Sequence, residues 1–101
     1  MMVYILICEM CEDTEDYDLN DVISDTVGVF SSKEEAYKYF PINKCSIVSR
    51  KNSYEVWAAN VELIREFNDL RSWGEIAENT GFIHFRIEQC ELNKPMKEWY
   101  N

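Results

Sequence analysis

Residues 9–25, with the sequence EMCEDTEDYDLNDVISD, constrain the fold most strongly, because so dense a run of like charges resists burial. This segment holds eight acidic residues and no Lys or Arg, whereas the other 11 acidic residues share the chain with all 10 basic ones. Carboxylates this close together repel one another and are costly to remove from water. We therefore predict a solvated connection here, with the packed elements on either side of it.

Strand patterns flank the acidic segment. Residues 3–9, VYILICE, are apolar on both faces and rich in β-branched side chains, as is typical of a strand inside a sheet. Residues 22–30 alternate, which predicts a second strand with Ile23, Val27 and Val29 toward the core. The two strands would form an antiparallel hairpin with a wide loop.

Helix signals follow in two regions. Ser32 and Glu35 have the spacing of a capping box, so we predict a helix over 33–40 that ends before Pro41. Apolar residues from Val61 onward recur at helical spacing, which predicts a helix over 60–71. A second capping box predicts a short helix over 73–79, with Gly81 as its C-terminal cap.

Residues 45–59 allow two interpretations. Cys45 to Ser49 and Tyr54 to Ala58 are strand-like and would form a hairpin, whereas Asn52 and Glu55 have the spacing that caps a helix starting at Ser53. The β-branched and aromatic content favours the hairpin. Residues 82–92 alternate again and predict the last strand.

These elements predict an α+β fold, with a small antiparallel sheet of three to five strands and two or three short helices packed on one face. A chain of 101 residues fits one domain, 1–101, and its five Phe, six Tyr and three Trp supply a core.

Three segments carry a resemblance to a known family. VYILICE at the start, GVFSSKEEAYKYF from Gly28 to Phe40, and FRIEQCELN near the end resemble a family of short uncharacterised bacterial and phage proteins with a strand–GVFSSxEEA–helix core. The resemblance covers about half of the chain and implies a β-β-α-β core in which residues 41–81 are an insertion. It implies no activity.

Metal binding is disfavoured by the ligand spacings. Asp16, Asp18 and Asn20 match the first ligands of a calcium-binding loop, but Asp21 stands where Gly is needed and Val27 where Glu is needed. Cys8 and Cys11 have the C-x2-C spacing of zinc sites without a second such pair. We predict no bound metal.

Catalytic signals are also missing from the sequence. His84 is the only histidine and has no nearby nucleophile in the sequence, and the three glycines do not form a phosphate-binding loop. The abundant carboxylates are solvated, whereas catalytic carboxylates need a pocket that shifts their pKa. We predict a protein that is not an enzyme and needs no cofactor.

The acidic segment remains as the candidate binding surface, because an aromatic residue among the charges adds affinity to electrostatic steering. We expect a protein partner with a basic surface, no direct binding to nucleic acid and no membrane span. The predicted partner-binding residues are Glu12, Asp13, Glu15, Asp16, Tyr17, Asp18 and Asp21.

The specific hypothesis is a phage or viral inhibitor that imitates DNA and blocks a host nucleic-acid-binding defence protein. The sequence shows no export signal, so we expect a cytoplasmic protein with reduced cysteines. One alternative is an accessory protein that forms homodimers through its sheet, and another is a small enzyme that depends on a metal or a thiol.

Overall fold

The computed structural model describes residues 1–12, 22–69 and 80–93. Within them lies a five-stranded antiparallel sheet of order β2-β1-β5-β4-β3, accompanied by two α-helices. The fold is therefore a small α+β fold dominated by its sheet. The strands are β1 (Met2–Glu12), β2 (Val22–Phe30), β3 (Cys45–Arg50), β4 (Tyr54–Ala59) and β5 (Thr80–Glu91), and the helices are α1 (Lys33–Tyr37) and α2 (Val61–Asp69).

The two longest strands, β1 and β5, pair at the centre of the sheet. Leu6 lies opposite Ile87, and both side chains are completely buried. Met10 lies opposite Ile83 on the same face, which we call the core face. Because alternate residues of a strand point to opposite faces, this register places one apolar row of each strand against the other. Both helices add side chains to this core, among them Ala36, Leu63, Ile64 and Phe67, and Phe40 joins them from the turn after α1.

The hairpin predicted within residues 45–59 is confirmed, and the alternative helix is wrong. β3 and β4 pair antiparallel, and the Lys51 N–H donates to the Tyr54 carbonyl oxygen at 2.8 Å across the turn. Trp57 then pairs with Phe85 of β5, which brings the hairpin into the main sheet. Cross-strand packing of these aromatic groups explains why strand propensity prevailed over the weak capping signal.

The first helix begins as predicted but is shorter. The Glu35 N–H donates to Ser32 Oγ at 3.2 Å, as the capping box requires. The helix ends at Tyr37 rather than residue 40, because the N–H groups of Lys38 and Tyr39 donate to carbonyls three residues back, the pattern of a tighter turn. Pro41 then leads into a single 3-10 turn, Ile42–Lys44.

The connection between the first two strands is shorter than the sequence suggested. β1 continues through Glu12, and Cys11 pairs with Val22 at the start of β2. The prediction that the first strand ends at residue 9 was therefore wrong, because pairing with β2 on one side and β5 on the other extends β1 into the acidic segment. At most residues 13–21 connect the two strands.

The orientation predicted for β2 was wrong for Val29, and none of the three apolar side chains assigned to the core is buried. Ile23, Val27 and Val29 are 44%, 45% and 60% exposed. Leu6 pairs with Gly28 and Ile7 with Thr26, so Val27 is the extra residue of a β-bulge. The bulge shifts the alternation, so Ile23 stays on the core side of the sheet while Val29 lies on the opposite face.

Later elements match the prediction in part. α2 falls within the predicted range 60–71, but Val61 is 63% exposed rather than packed. Gly81 lies in β5 and is not a helix cap. The helix predicted over 73–79 lies outside the described residues. In the sheet order, β2, β1 and β5 are contiguous and the β3–β4 hairpin is added beside β5, but an insertion over 41–81 stays a prediction.

Because β1 and β5 form the centre of the core, replacing an isoleucine there should cost more stability than replacing one on an edge strand. Ile87→Ala removes a fully buried side chain and should lower the free energy of unfolding by about 2–5 kcal/mol. Ile47→Ala makes the same chemical change on an edge strand, where the side chain is 42% exposed, and should cost about 1 kcal/mol or less. Urea denaturation measures both. Equal losses would contradict the assigned core.

Candidate functional site

The predicted binding residues belong to one corner of the sheet. The pairing of Cys11 with Val22 holds both ends of the connection side by side at the end of two adjacent strands. Glu12 is the last residue of β1. The other six predicted residues lie outside the described residues, and they are Asp13, Glu15, Asp16, Tyr17, Asp18 and Asp21.

Several acidic side chains elsewhere in the described structure have a cationic partner. Glu9 belongs to the acidic segment, yet its carboxylate lies 3.4 Å from Arg86 Nη1 on β5. Glu66 lies 2.6 Å from Lys44 Nζ, and Glu35 lies 3.0 Å from Lys38 Nζ. These pairs cancel part of the charge on the described residues, whereas the sequence of the connection, residues 13–21, has five acidic residues and no Lys or Arg.

An apolar cavity of about 310 Å³ lies beside the same corner, on the core face. Its base is the sheet, one wall is α2, and two residues of β2 stand at its edge. Among the described residues that line it, Asp25 is the only acidic one. The lining residues from the sheet and helix are Cys8, Met10, Leu63, Phe67, Ile83 and Phe85, joined by Asp25, Val27 and Pro41.

Cys8 contributes a neutral thiol to this cavity. Burial raises the pKa of Cys8 to about 11, and the negative charges of Asp25 and Glu9 add to the effect. Because the thiolate is the reactive and metal-binding form, this thiol is a poor nucleophile and a poor zinc ligand at neutral pH. Among the described residues, no group of three or more His, Cys, Asp or Glu side chains converges on a metal site.

The other sheet face, which we call the outer face, carries a polar row. His84 lies there, opposite Glu9 and Ala58, with its ring 4.6 Å from that of Phe82. Arg86 Nη1 lies 3.4 Å from Glu9 and 3.6 Å from Glu88, while its buried Nε has no hydrogen-bond partner among the described residues. The guanidinium thus forms ion pairs with two carboxylates and links β1 to β5.

A buried carboxylate that the sequence did not reveal lies on the core face, toward the β3 edge of the sheet and away from β2. Glu55 on β4 is only 2% exposed and faces the core, opposite Ile87. It accepts hydrogen bonds from Tyr37 Oη at 2.6 Å and Trp57 Nε1 at 3.1 Å. Lys33 Nζ and Arg50 Nε each lie 3.3 Å from its second oxygen.

This cluster had only a weak sequence signal. Glu55 lies between Tyr54 and Val56 in a strand where both faces are apolar, so alternation does not reveal its side. The bulge at Val48, which has no partner between the Ile47 and Ser49 pairings, brings Arg50 opposite Glu55. Only the sheet register therefore brings the two charges together.

The protonation states follow from these contacts. Burial alone would raise the pKa of Glu55, but hydrogen bonds from Tyr37, Trp57 and Lys33 outweigh it, so the pKa is lowered and the group is ionised at neutral pH. Burial, followed by the hydrogen bond to Glu55, raises the pKa of Tyr37 to about 12. A fully satisfied carboxylate of this kind joins α1 to β3 and β4 rather than providing a reactive group.

Comparisons with family models, curated proteins and solved structures find no match to this chain. The resemblance carried by GVFSSKEEAYKYF therefore stays a prediction. No helix among the described residues has the length and apolar character required to cross a membrane.

Tyr37, the last residue of α1, and Tyr39, in the turn after it, provide a matched test of how much the hydrogen bond to Glu55 stabilises the fold. Tyr37→Phe removes a hydrogen bond to a buried charge and should lower the free energy of unfolding by about 1–3 kcal/mol. Tyr39→Phe keeps the ring that packs 4.8 Å from Phe30 and removes an exposed hydroxyl, so its effect should be within about 0.5 kcal/mol. Urea denaturation measures the free energy of unfolding of both variants. Equal losses would show that the Tyr37–Glu55 hydrogen bond does not stabilise the fold.

Because folding lowers the pKa of Glu55, the stability of the fold should depend on pH. A carboxyl whose pKa is lowered by folding stabilises the fold fully above its ordinary pKa of 4.5, and the contribution is lost as pH falls through the lower value. Glu55→Gln should therefore be strongly destabilising at pH 7, by about 3–5 kcal/mol, and the gap to wild type should narrow below pH 4.5.

Denaturation at pH 7, 5, 4 and 3 measures this gap. Glu62→Gln on the exposed first turn of α2 is the control and should leave a small gap at every pH. A gap for Glu55→Gln that stays constant down to pH 3 would contradict the ionised state.

Proposed function

We propose that this chain is a non-enzymatic protein-binding module that acts through its acidic corner on a partner with a basic surface. The observation that carries the proposal is the pairing of Cys11 with Val22, which ties both ends of the acidic connection to one corner of a rigid sheet. The proposed partner-binding residues are Glu12, Asp13, Glu15, Asp16, Tyr17, Asp18 and Asp21.

Electrostatics supports this proposal. Between Glu12 and Val22 the chain has five acidic residues and no Lys or Arg. At physiological ionic strength charges are screened over about 8 Å, so a dense local group acts on a partner more strongly than dispersed charges do. Such a group accelerates encounter with a basic surface, and Tyr17 supplies the aromatic contact that binding surfaces use for affinity.

The specific form of the proposal is DNA mimicry. An acidic projection can occupy the basic groove of a nucleic-acid-binding protein, since that groove is built to neutralise phosphates. The chain would then be a phage or viral inhibitor of a host defence protein, acting in the cytoplasm. Its small size and local acidity support this version, and the neutral Cys8 thiol supports a role without catalysis.

Affinity capture from host lysate tests the proposal. Wild type should capture a basic, nucleic-acid-handling protein at low salt and less of it at moderate salt. A variant with Asn or Gln at positions 12, 13, 15, 16, 18 and 21 should lose at least nine-tenths of that capture. Identical capture by both proteins would contradict a binding role for the acidic corner.

A matched pair of double variants separates local charge from net charge. Asp16→Asn with Asp18→Asn removes two charges from the corner, whereas Glu34→Gln with Glu62→Gln removes two exposed charges from the helices. Only the first pair should weaken binding of the captured partner. DNA should compete with the chain for that partner, and simultaneous binding of both would exclude mimicry.

The alternative, self-association through the sheet, is favoured by one observation. The edge strand β3 exposes Ile47 and Val48 by 42% and 61%, and exposed apolar edges promote pairing between copies. Light scattering distinguishes the two functions, because a mimic requires no dimer. A dimer that Val48→Lys converts to a monomer would favour the alternative.

A further inference from the structure

The strand that leaves the acidic corner, β2, is also an edge of the sheet. It pairs only with β1, and no described strand lies on its other side. Ile23 and Val27 are exposed, and Ile23 lies next to the corner end of the strand. An edge strand with free backbone groups and exposed apolar side chains is the structure to which extended peptides add.

The apolar cavity lies next to this edge. Asp25 and Val27 of β2 line it, and both side chains are also exposed to solvent. Its interior is formed by Cys8, Ile83 and Phe67. At about 310 Å³ it lies at the lower end of the roughly 300–1,000 Å³ typical of ligand pockets, which suits a single large side chain.

We propose that the β2 edge and this cavity together bind an extended segment of the basic partner. The segment adds to the sheet beside residues 22–26 through backbone hydrogen bonds, and one of its large apolar side chains enters the cavity. Lys or Arg residues of the same segment face Asp25, which is exposed at the edge of the cavity. This inference rests on the proposed function for the identity of the partner and names the surface it uses.

The bulge at Val27 limits how far the partner segment can pair. A bulge interrupts the regular spacing of backbone groups, so uninterrupted pairing extends only over residues 22–26. So short a strand pair is weak by itself, which is why the side-chain anchor in the cavity is needed for affinity.

The charge distribution also sets the direction of the segment. β2 begins at the acidic corner and runs away from it toward Phe30. A segment antiparallel to β2 therefore reaches the corner with its C-terminal end. Antiparallel pairing is the more stable arrangement, so the apolar anchor should precede the basic residues in the partner sequence.

Two synthetic peptides test this arrangement. The first has six alternating Thr and Val residues with Phe at one central position, followed by two Lys, and the second carries the two Lys at its N-terminus instead. Amide chemical shifts of the labelled full-length chain are followed as each peptide is added. The first peptide should shift β2 residues and Cys8, and should bind at least fivefold more tightly than the second.

Replacing Phe by Ala in the first peptide should weaken binding at least tenfold if that side chain enters the cavity. Asp25→Lys should weaken binding of the first peptide by a similar factor, whereas Glu62→Lys, which makes the same change on an exposed helix position, should not. Shifts that avoid β2 and the cavity, or no shifts at millimolar peptide, would overturn the inference.

The failure of this inference is distinguishable from failure of the proposed function. If wild type and the Asp25→Lys variant capture the same basic protein from lysate with equal yield, the β2 edge is not the contact, while the acidic corner keeps its role. If the variant neutralised at six corner positions also captures that protein, the proposed function fails as well.

Discussion

The pairing of β1 with β5 is the interaction on which the rest of this structure depends. Leu6 and Ile87 meet at its centre and are fully buried, and every other strand is attached to one of these two directly or through a neighbour. β1 holds β2 and therefore the acidic corner, while β5 holds the β3–β4 hairpin. Loss of this central register would separate the acidic corner from the Glu55 cluster.

The carboxylates of the sheet fall into two groups: some are paired with cations inside the fold, and Asp25 lies at the surface. Glu55 is buried and surrounded by four donors from α1, β3 and β4, so its charge is used within the fold. Glu9 is likewise engaged by Arg86 across β1 and β5. Asp25 has no cation within the described contacts and lies at the cavity beside the acidic corner. Exposed carboxylates such as Glu34 and Glu62 also lie on the helices, so the corner differs from the body in the density of its acidic residues along the sequence.

Much of the fold was predictable because its signals are local. The Ser32 cap, the strand-forming residues around Trp57 and the alternation of Ile83, Phe85 and Ile87 each act within a few residues. The bulge at Val27 and the burial of Glu55 were not predictable, because both depend on which residues of distant strands lie opposite them. Of the predicted site, the structure describes only the two ends, Glu12 and Val22. The adjoining cavity could not be predicted, because its lining comes from strands and a helix that are far apart in the sequence.

We infer that the acidic corner and the adjacent β2 edge form one binding surface. Amide hydrogen exchange of the chain, alone and in complex with the captured basic protein, compares this surface with the opposite edge of the sheet. Protection on binding should be concentrated in residues 12–27. Protection confined to the β3 edge, residues 45–50, with none in 12–27, would contradict a shared binding surface.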